Sequence, residues 1–300
     1  MKKGYFLIFS TAIISGFSVF INKYGVSINN PNVFAFLKNL IVAILISGLL
    51  ILFKDFRDIK KLNKKQWFLL LTIGLIGGSL PFLLFFKGLS LITAIQGSFW
   101  HKTMFLYVAI LAPVFLKEKI DRKFLFGGLL LLLGNLFLLK AIPSPVQKGD
   151  ILVILATIFW AFENVVSKYT LKDLNPQIVA WARMFFGSIF ILLFLLGTNQ
   201  LKVVADLNLR QISWILVTAI LLFGYIETWY RGLKLVPVSQ ATAILAFGSP
   251  ITILLSFIAG GKISFQETIS GIFIVFGIIS ILGFKEFRRL IKETKEFYAQ

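Results

Sequence analysis

GYFLIFSTAIISGFSVFINKY (residues 4–24) and GDILVILATIFWAFENVVSKY (residues 149–169) open the two halves of this 300-residue chain. They share an initial Gly, an apolar body and a closing Lys-Tyr, at an offset of 145 residues. The agreement continues downstream. Asn30-Pro31 falls on Asn175-Pro176, Ala35 on Ala180 and Lys38 on Arg183. Lys87-Gly88-Leu89 then matches Arg231-Gly232-Leu233, and Gln96 matches Gln240. Lys119-Ile120, Gly128 and Gly134 match Lys262-Ile263, Gly271 and Gly277, with the offset drifting only to 143. An ordered series of this length reads as an internal duplication.

Each copy is apolar along most of its length. Hydrophobic residues make up 58% of the chain, against about 45–50% in soluble domains. Charged residues make up only 15%, and 33 residues are Phe. Neither a single soluble core nor a disordered chain accommodates that composition. Apolar windows predict ten transmembrane helices at 4–24, 31–53, 66–86, 90–116, 123–140, 149–169, 176–196, 212–232, 237–258 and 265–284, each about the 20 residues that a bilayer needs. Pro31 and Pro176 sit at helix starts, where a missing N–H costs nothing. Pro81, Pro113 and Pro250 are internal and predict kinks. Met1-Lys2-Lys3 before an apolar run resembles a signal peptide, but the run reaches Ile21 without a cleavage site and reads as a retained first helix.

The fold class is therefore all-α, a polytopic membrane protein of ten helices in two five-helix repeats. Residues 1–145 form the first repeat, 146–286 the second and 287–300 a basic tail. Five is odd, so the second repeat enters the membrane from the opposite side. Such inverted pairs let a secondary transporter present one midplane site to either face. The net charge of +18 sits in the loops rather than on one soluble surface, which argues against a nucleic-acid partner. Alternate loops with the termini carry about 21 Lys and Arg, and the other loops about 7, which places both termini in the cytoplasm and the chain in the plasma membrane. The amphipathic stretch Lys285–Lys295 is expected on the anionic inner leaflet.

The ten-span, 5+5 layout resembles the drug/metabolite transporter superfamily, specifically its EamA-like family. The likeness covers nearly the whole chain. Leu116-Lys117-Glu118-Lys119-Ile120 followed by Gly127, Gly128 and Gly134 is similar to the family's half-repeat ending. The second half keeps Pro250, Gly271 and Gly277, but Gly261 stands where a Glu is common, and the first half lacks the usual Pro near Met104–Phe105. The resemblance implies a carrier of amino acids, other metabolites, drugs or nucleotide sugars, and leaves the cargo open.

An ionisable group within a span costs about 2.5–3.5 kcal/mol on insertion scales and needs a partner, a wet cavity or a function. Six qualify: Lys38, His101, Lys102, Glu163, Arg183 and Glu227. Glu163 and Arg183 lie about 10 Å inside the same face on consecutive antiparallel helices, from the 1.5 Å rise per residue, and are expected to pair. Glu227 and Arg231 stand at i,i+4 and read as a local pair. Lys38 is the repeat mate of Arg183, but the mate of Glu163 is Ser18, so Lys38 lacks a carboxylate at matching depth. Lys102, beside the sole His, His101, also has no evident anion. Either the cavity receives an anion there, or Glu163 reaches Lys102, or Lys102 is neutral. Trp160, Trp181, Tyr225 and Trp229 share the helices of these charges and are candidates to line a substrate cavity. The Gly pairs at 77–78 and 127–128 predict close helix approach.

The expectation is a secondary transporter, an exporter or exchanger, of a small polar organic metabolite that is amino-acid-like or organic-anion-like. The substrate-binding candidates are Lys38, His101, Lys102, Glu163, Arg183, Trp160, Trp181, Tyr225 and Trp229. A lipophilic-cation efflux carrier using Glu163 and a nucleotide-sugar or organophosphate exchanger are the alternatives. The expected partners are a small-molecule substrate, a coupling proton and the lipid bilayer. No Walker A pattern is present, so no ATPase subunit is implied. The absence of Cys excludes disulfides, thiolate metal sites and Cys nucleophiles, and no cofactor and no metal are expected. An intramembrane enzyme is disfavoured: no Asp lies mid-span, and Ser98 near His101 is the nearest imitation of a nucleophile and base.

Overall fold

The computed structural model describes residues 2–53, 56–140, 146–284 and Arg288. Most of the tail, with the stretch expected on the lipid surface, lies outside these residues. Among the described residues the chain is helical, with no strand. The first repeat contains α1 (Lys2–Ile28), α2 (Pro31–Leu52), the short α3 (Phe56–Ile59), α4 (Lys64–Gly78), α5 (Leu80–Leu91), α6 (Ala94–Lys102), α7 (Met104–Leu116) and α8 (Arg122–Lys140). The second contains α9 (Lys148–Thr170), α10 (Pro176–Gly197), α11 (Leu209–Leu235), α12 (Val238–Leu245), α13 (Gly248–Ile258) and α14 (Phe265–Leu282). Among the described residues nine segments are long and apolar enough to cross a bilayer, with α4–α5, α6–α7 and α12–α13 each counting as one. The helix α8 takes the tenth place, packed along α14.

Helix starts repeat as the sequence does. Asn30 caps α2 by accepting from the amides of Asn32 (2.9 Å) and Val33 (3.2 Å), and Asn175 caps α10 by accepting from Gln177 N at 3.0 Å. In both, Pro follows as the first helical residue. Asn63 with Gln66 and Asn208 with Gln211 form matching capping boxes at the starts of α4 and α11. This last pair keeps the 145-residue offset and was not used above. The third span runs on to Leu91, and Thr93 caps α6. Residues 90 and 91 thus belong to the third span rather than the fourth.

The packing is symmetric under exchange of repeats. The contact of α1 with α11 is mirrored by that of α9 with α5, and α10 on α4 is mirrored by α2 on α11. Likewise α1 meets α13 as α9 meets α7, while α2 packs on its own mate α10 and α8 on α14. This is the pattern of a two-fold axis in the membrane plane. Close approach uses the expected glycines. A Cβ on Gly78 would overlap the Arg183 carbonyl, and one on Gly127 would press on the Gly277 carbonyl. Gly128 faces no neighbour in this way. Large apolar side chains such as Ile44, Phe68, Ile110 and Ile220 are exposed, while Lys38, Lys102, Glu163 and Arg183 are buried. That arrangement suits a lipid surround, where polar groups must find partners inside.

Three spans are broken. Between α4 and α5, Pro81 has no N–H for the Gly77 carbonyl and its ring excludes it. Pro250 has the same effect on Ala246, at the break between α12 and α13. The break between α6 and α7, at Thr103, has no Pro. There Thr103 N shares Phe99 O and Trp100 O (3.2 and 3.3 Å), and Leu106 N bonds Thr103 O at 2.9 Å. Its mate at Ala246 tightens in the same i,i+3 manner, Ala246 N to Ala243 O at 3.1 Å and Ser249 N to Ala246 O at 3.0 Å. The two breaks face each other, with the Ser98 and Ser249 hydroxyls 3.3 Å apart. Pro113 sits inside the continuous helix α7.

Candidate functional site

Between the repeats lies a cavity of about 60 Å³. From α1 and α2 it takes Ser15, Ser18, Asn22 and Lys38, and from α5 the rings of Phe82, Phe85 and Phe86. Opposite them are His101, Trp160, Asn164, Arg183 and Tyr225. Five of the nine candidates therefore line it: Lys38, His101, Trp160, Arg183 and Tyr225. Lys38 follows Pro31 by seven residues and Arg183 follows Pro176 by seven. Because the repeats are inverted, Arg183 lies toward the face where α1 begins, the near face, and Lys38 toward the far face.

The near-face layer is a network of buried polar groups. Glu163 Oε1 accepts from the hydroxyls of Ser167 (2.5 Å) and Tyr230 (2.6 Å). Glu163 Oε2 faces Arg183 Nη1 at 3.5 Å without a hydrogen bond. Arg183 donates from Nη1 to Tyr230 OH at 3.3 Å and from Nε to Gly77 O at 3.2 Å. Trp160 Nε1 donates to the same Gly77 oxygen at 3.0 Å. Pro81 is the local cause, since it leaves that carbonyl without its i+4 partner. The expected Glu163–Arg183 contact is present, and Tyr230 bridges the two.

The far-face layer is built from the repeat mates: Ser18 for Glu163, Asn22 for Ser167, Lys38 for Arg183 and Phe86 for Tyr230. Here Lys38 Nζ donates to Asn22 Oδ1 at 2.5 Å and lies 4.6 Å from the Phe86 ring centre and 5.0 Å from that of Phe34. Among the described residues no carboxylate lies within 4 Å of Lys38 or of Lys102.

Lys102 sits one layer behind the cavity. It ends α6, where the helix dipole favours a cation, and donates to Ser15 Oγ at 2.5 Å, with His101 Nδ1 at 3.4 Å. His101 packs edge-on against Trp160 (5.0 Å) and Phe85 (5.6 Å). Trp229 is buried behind Asn164, donating to its Oδ1 at 2.9 Å. Trp181 lies away from the cavity, donating to Ser47 Oγ at 3.1 Å and stacking on Phe185. Glu227 pairs with Arg231 at 2.7 Å.

Sequence reasoning missed Tyr230, Ser167, Asn22, Phe86 and the Gly77 carbonyl. Phe86 and Tyr230 immediately precede the matched Lys87 and Arg231, so extending that alignment by one position would have paired them. It also missed the use of Glu118. This carboxylate, at the end of α7, accepts from Val238 N (2.7 Å), Ser239 N (3.2 Å) and Ser239 Oγ (2.7 Å), capping α12 of the other repeat. At the mate position on the far face stands Gly261, so the clasp has no counterpart there.

Comparison with known proteins agrees with this architecture. The model of the EamA-like transporter family matches twice, over residues 2–140 and 147–283. The uncharacterized transporter YyaM of Bacillus subtilis is 23% identical over 292 residues, covering 93% of each chain. The riboflavin transporter ImpX of Fusobacterium nucleatum is 29% identical over 304 residues, covering 93% of this chain and 97% of that one. A protein of known crystal structure matches the fold with a TM-score of 0.73 at 15% identity, over 93% of this chain and 94% of the other.

Proposed function

The chain belongs to the EamA-like transporter family, a membrane transporter by its kind, and from that premise we propose that it is a secondary carrier moving a small organic solute by alternating access through the central cavity. One observation carries this reading. Lys38 and Arg183 are mates in inverted repeats, and both line one cavity from opposite depths. A site built this way presents equivalent surroundings to either face as the repeats rock. The mirrored breaks at Thr103 and Ala246 supply two places where the spans can bend without new unpaired backbone groups.

The excess of Lys and Arg in the near-face loops supports a cytoplasmic near face in a plasma-membrane protein. The near-face network and the Glu118 clasp are then an inner gate, and inward opening separates α12 from α7. The cargo reading is a polar organic metabolite with an anionic group. Glu163 is committed to Arg183, Ser167 and Tyr230, which weighs against a cation-efflux role for that carboxylate. Riboflavin, named for the Fusobacterium relative, is a first solute to assay, because the rings of Phe82, Phe85 and Trp160 offer flat faces to an aromatic body.

The test is counterflow in liposomes carrying the purified protein. Labelled solute should accumulate against its gradient when unlabelled solute is trapped inside, over a panel of riboflavin, amino acids, organic acids, sugar phosphates and cationic drugs. Repeating the assay with an imposed proton gradient separates proton-coupled export from exchange. Counterflow by no member of the panel would count against a carrier, and counterflow by lipophilic cations alone would return the binding role to Glu163.

A further inference from the structure

We propose that Lys38, with Asn22, is the anchor for one carboxylate of an organic solute that carries no ammonium group. This deepens the transport reading and rests on it. Lys38 is 1% exposed, yet it has no carboxylate within 4 Å among the described residues. An ammonium has three N–H donors. One is spent on Asn22 Oδ1, and the remaining donors have the quadrupole faces of Phe34 and Phe86 and the cavity itself. Ring faces compensate a buried cation only in part. A carboxylate seated in the cavity supplies the missing charge, and the Asn22 amide brings a further N–H to the same rim.

The charge number follows from what the other cations already do. Arg183 is tied to Glu163, Tyr230 and Gly77 O, and Lys102 to Ser15 behind the cavity wall. Among the described residues Lys38 is the one lysine or arginine that lines the cavity without a carboxylate partner, which matches a monoanion, whereas a phosphate dianion calls for two such cations. The exclusion of an ammonium follows from the same layer. Among the described residues no carboxylate lines the cavity, and Glu163 lies against Arg183. Among the described lining residues an α-ammonium beside the carboxylate would sit among Lys38, Arg183 and His101 with no carboxylate to meet it. The apolar body of the solute then rests on Phe82, Phe85 and Trp160, the two Phe rings lying 5.5 and 5.2 Å from that of Trp160.

The experiment compares three matched sets by thermal stabilisation of the full-length protein in detergent: phenylpropionate, indolepropionate and hexanoate, their primary amides, and phenylalanine, tryptophan and norleucine. In the wild type at least one carboxylate should bind about tenfold or more tightly than both its amide and its α-amino acid. Lys38→Met, which keeps the length and apolar character of the stem, should abolish the preference. Equal binding of acid and amide in the wild type overturns the proposal without reference to any variant. So does a preference for the amino acid, a preference retained in Lys38→Met, or failure of every carboxylate to bind. Counterflow of any solute by the wild type, run in parallel, shows whether the transport reading stands when the anchor does not.

Discussion

The near-face and far-face layers occupy equivalent positions in two copies of one unit, yet they do different work. In the near layer Glu163, Ser167, Arg183 and Tyr230 bond to or face one another, charge against charge. In the far layer Ser18, Asn22, Lys38 and Phe86 leave a cation facing the cavity with a single oxygen acceptor. Duplication supplied the backbone twice, and four differing side chains give one copy a charge pair, the proposed latch, and the other an uncompensated lysine, the proposed socket. The Glu118 clasp opposite Gly261 repeats the same asymmetry at the loops.

The largest effect should come from breaking the latch. Glu163→Gln leaves Arg183 buried without its counter-charge, and a broken buried pair costs about 3–5 kcal/mol, read as a fall in melting temperature in detergent. Arg183→Gln should cost about as much. The double variant should recover part of the loss, and strictly additive losses would show that the two residues do not act as a pair.

A sharper test makes the far layer resemble the near one. Ser18→Glu places a carboxylate at the mate position of Glu163, within the layer of Lys38. It should occupy the socket and weaken carboxylate binding by tenfold or more, about 1.4 kcal/mol. The thermal stability of the empty protein should rise or stay level. Unchanged carboxylate affinity would mean that the two layers are not equivalent in the way described.

Smaller changes follow from single hydrogen bonds. Tyr230→Phe gives the near layer the far layer's ring and removes the hydroxyl that bridges Glu163 and Arg183, costing about 1–2 kcal/mol in the melt. Wild-type stability in this variant would remove the bridge from the account. Glu118→Gln keeps an acceptor for Val238 N but loses the charge at the start of α12, worth about 0.3–1 kcal/mol. Its clearer readout is faster proteolysis or labelling near residues 236–239 on the near face, and protection unchanged from wild type would mean that Glu118 does not hold that gate.

Legibility in the sequence divided along physical lines. The spans were readable because bilayer thickness sets a length and the hydrocarbon sets a composition, and both are local. The duplication and its inversion needed only an alignment and the parity of five. The Glu163–Arg183 contact was also readable, since rise per residue fixes depth on consecutive helices. Depth does not give azimuth, however. Trp181 shares a helix with Arg183 but turns toward Ser47, while Tyr230 and Asn22, never singled out, stand at the centre of their layers. Pro81 and Pro250 announced two breaks, and the third at Thr103 had no proline to mark it.

What the sequence determined by itself was the number of crossings, the two-fold relation between halves and the set of charges that the membrane interior must accommodate. These depend on chain length, hydropathy and pattern. Which hydrogen bonds hold those charges was decided only by the packing of α5 on α9 and of α2 on α10 and α11, because a hydrogen bond requires partners placed within a few tenths of an ångström across helices far apart in the chain. Tertiary structure alone therefore placed Tyr230 between Glu163 and Arg183, and Asn22 against Lys38.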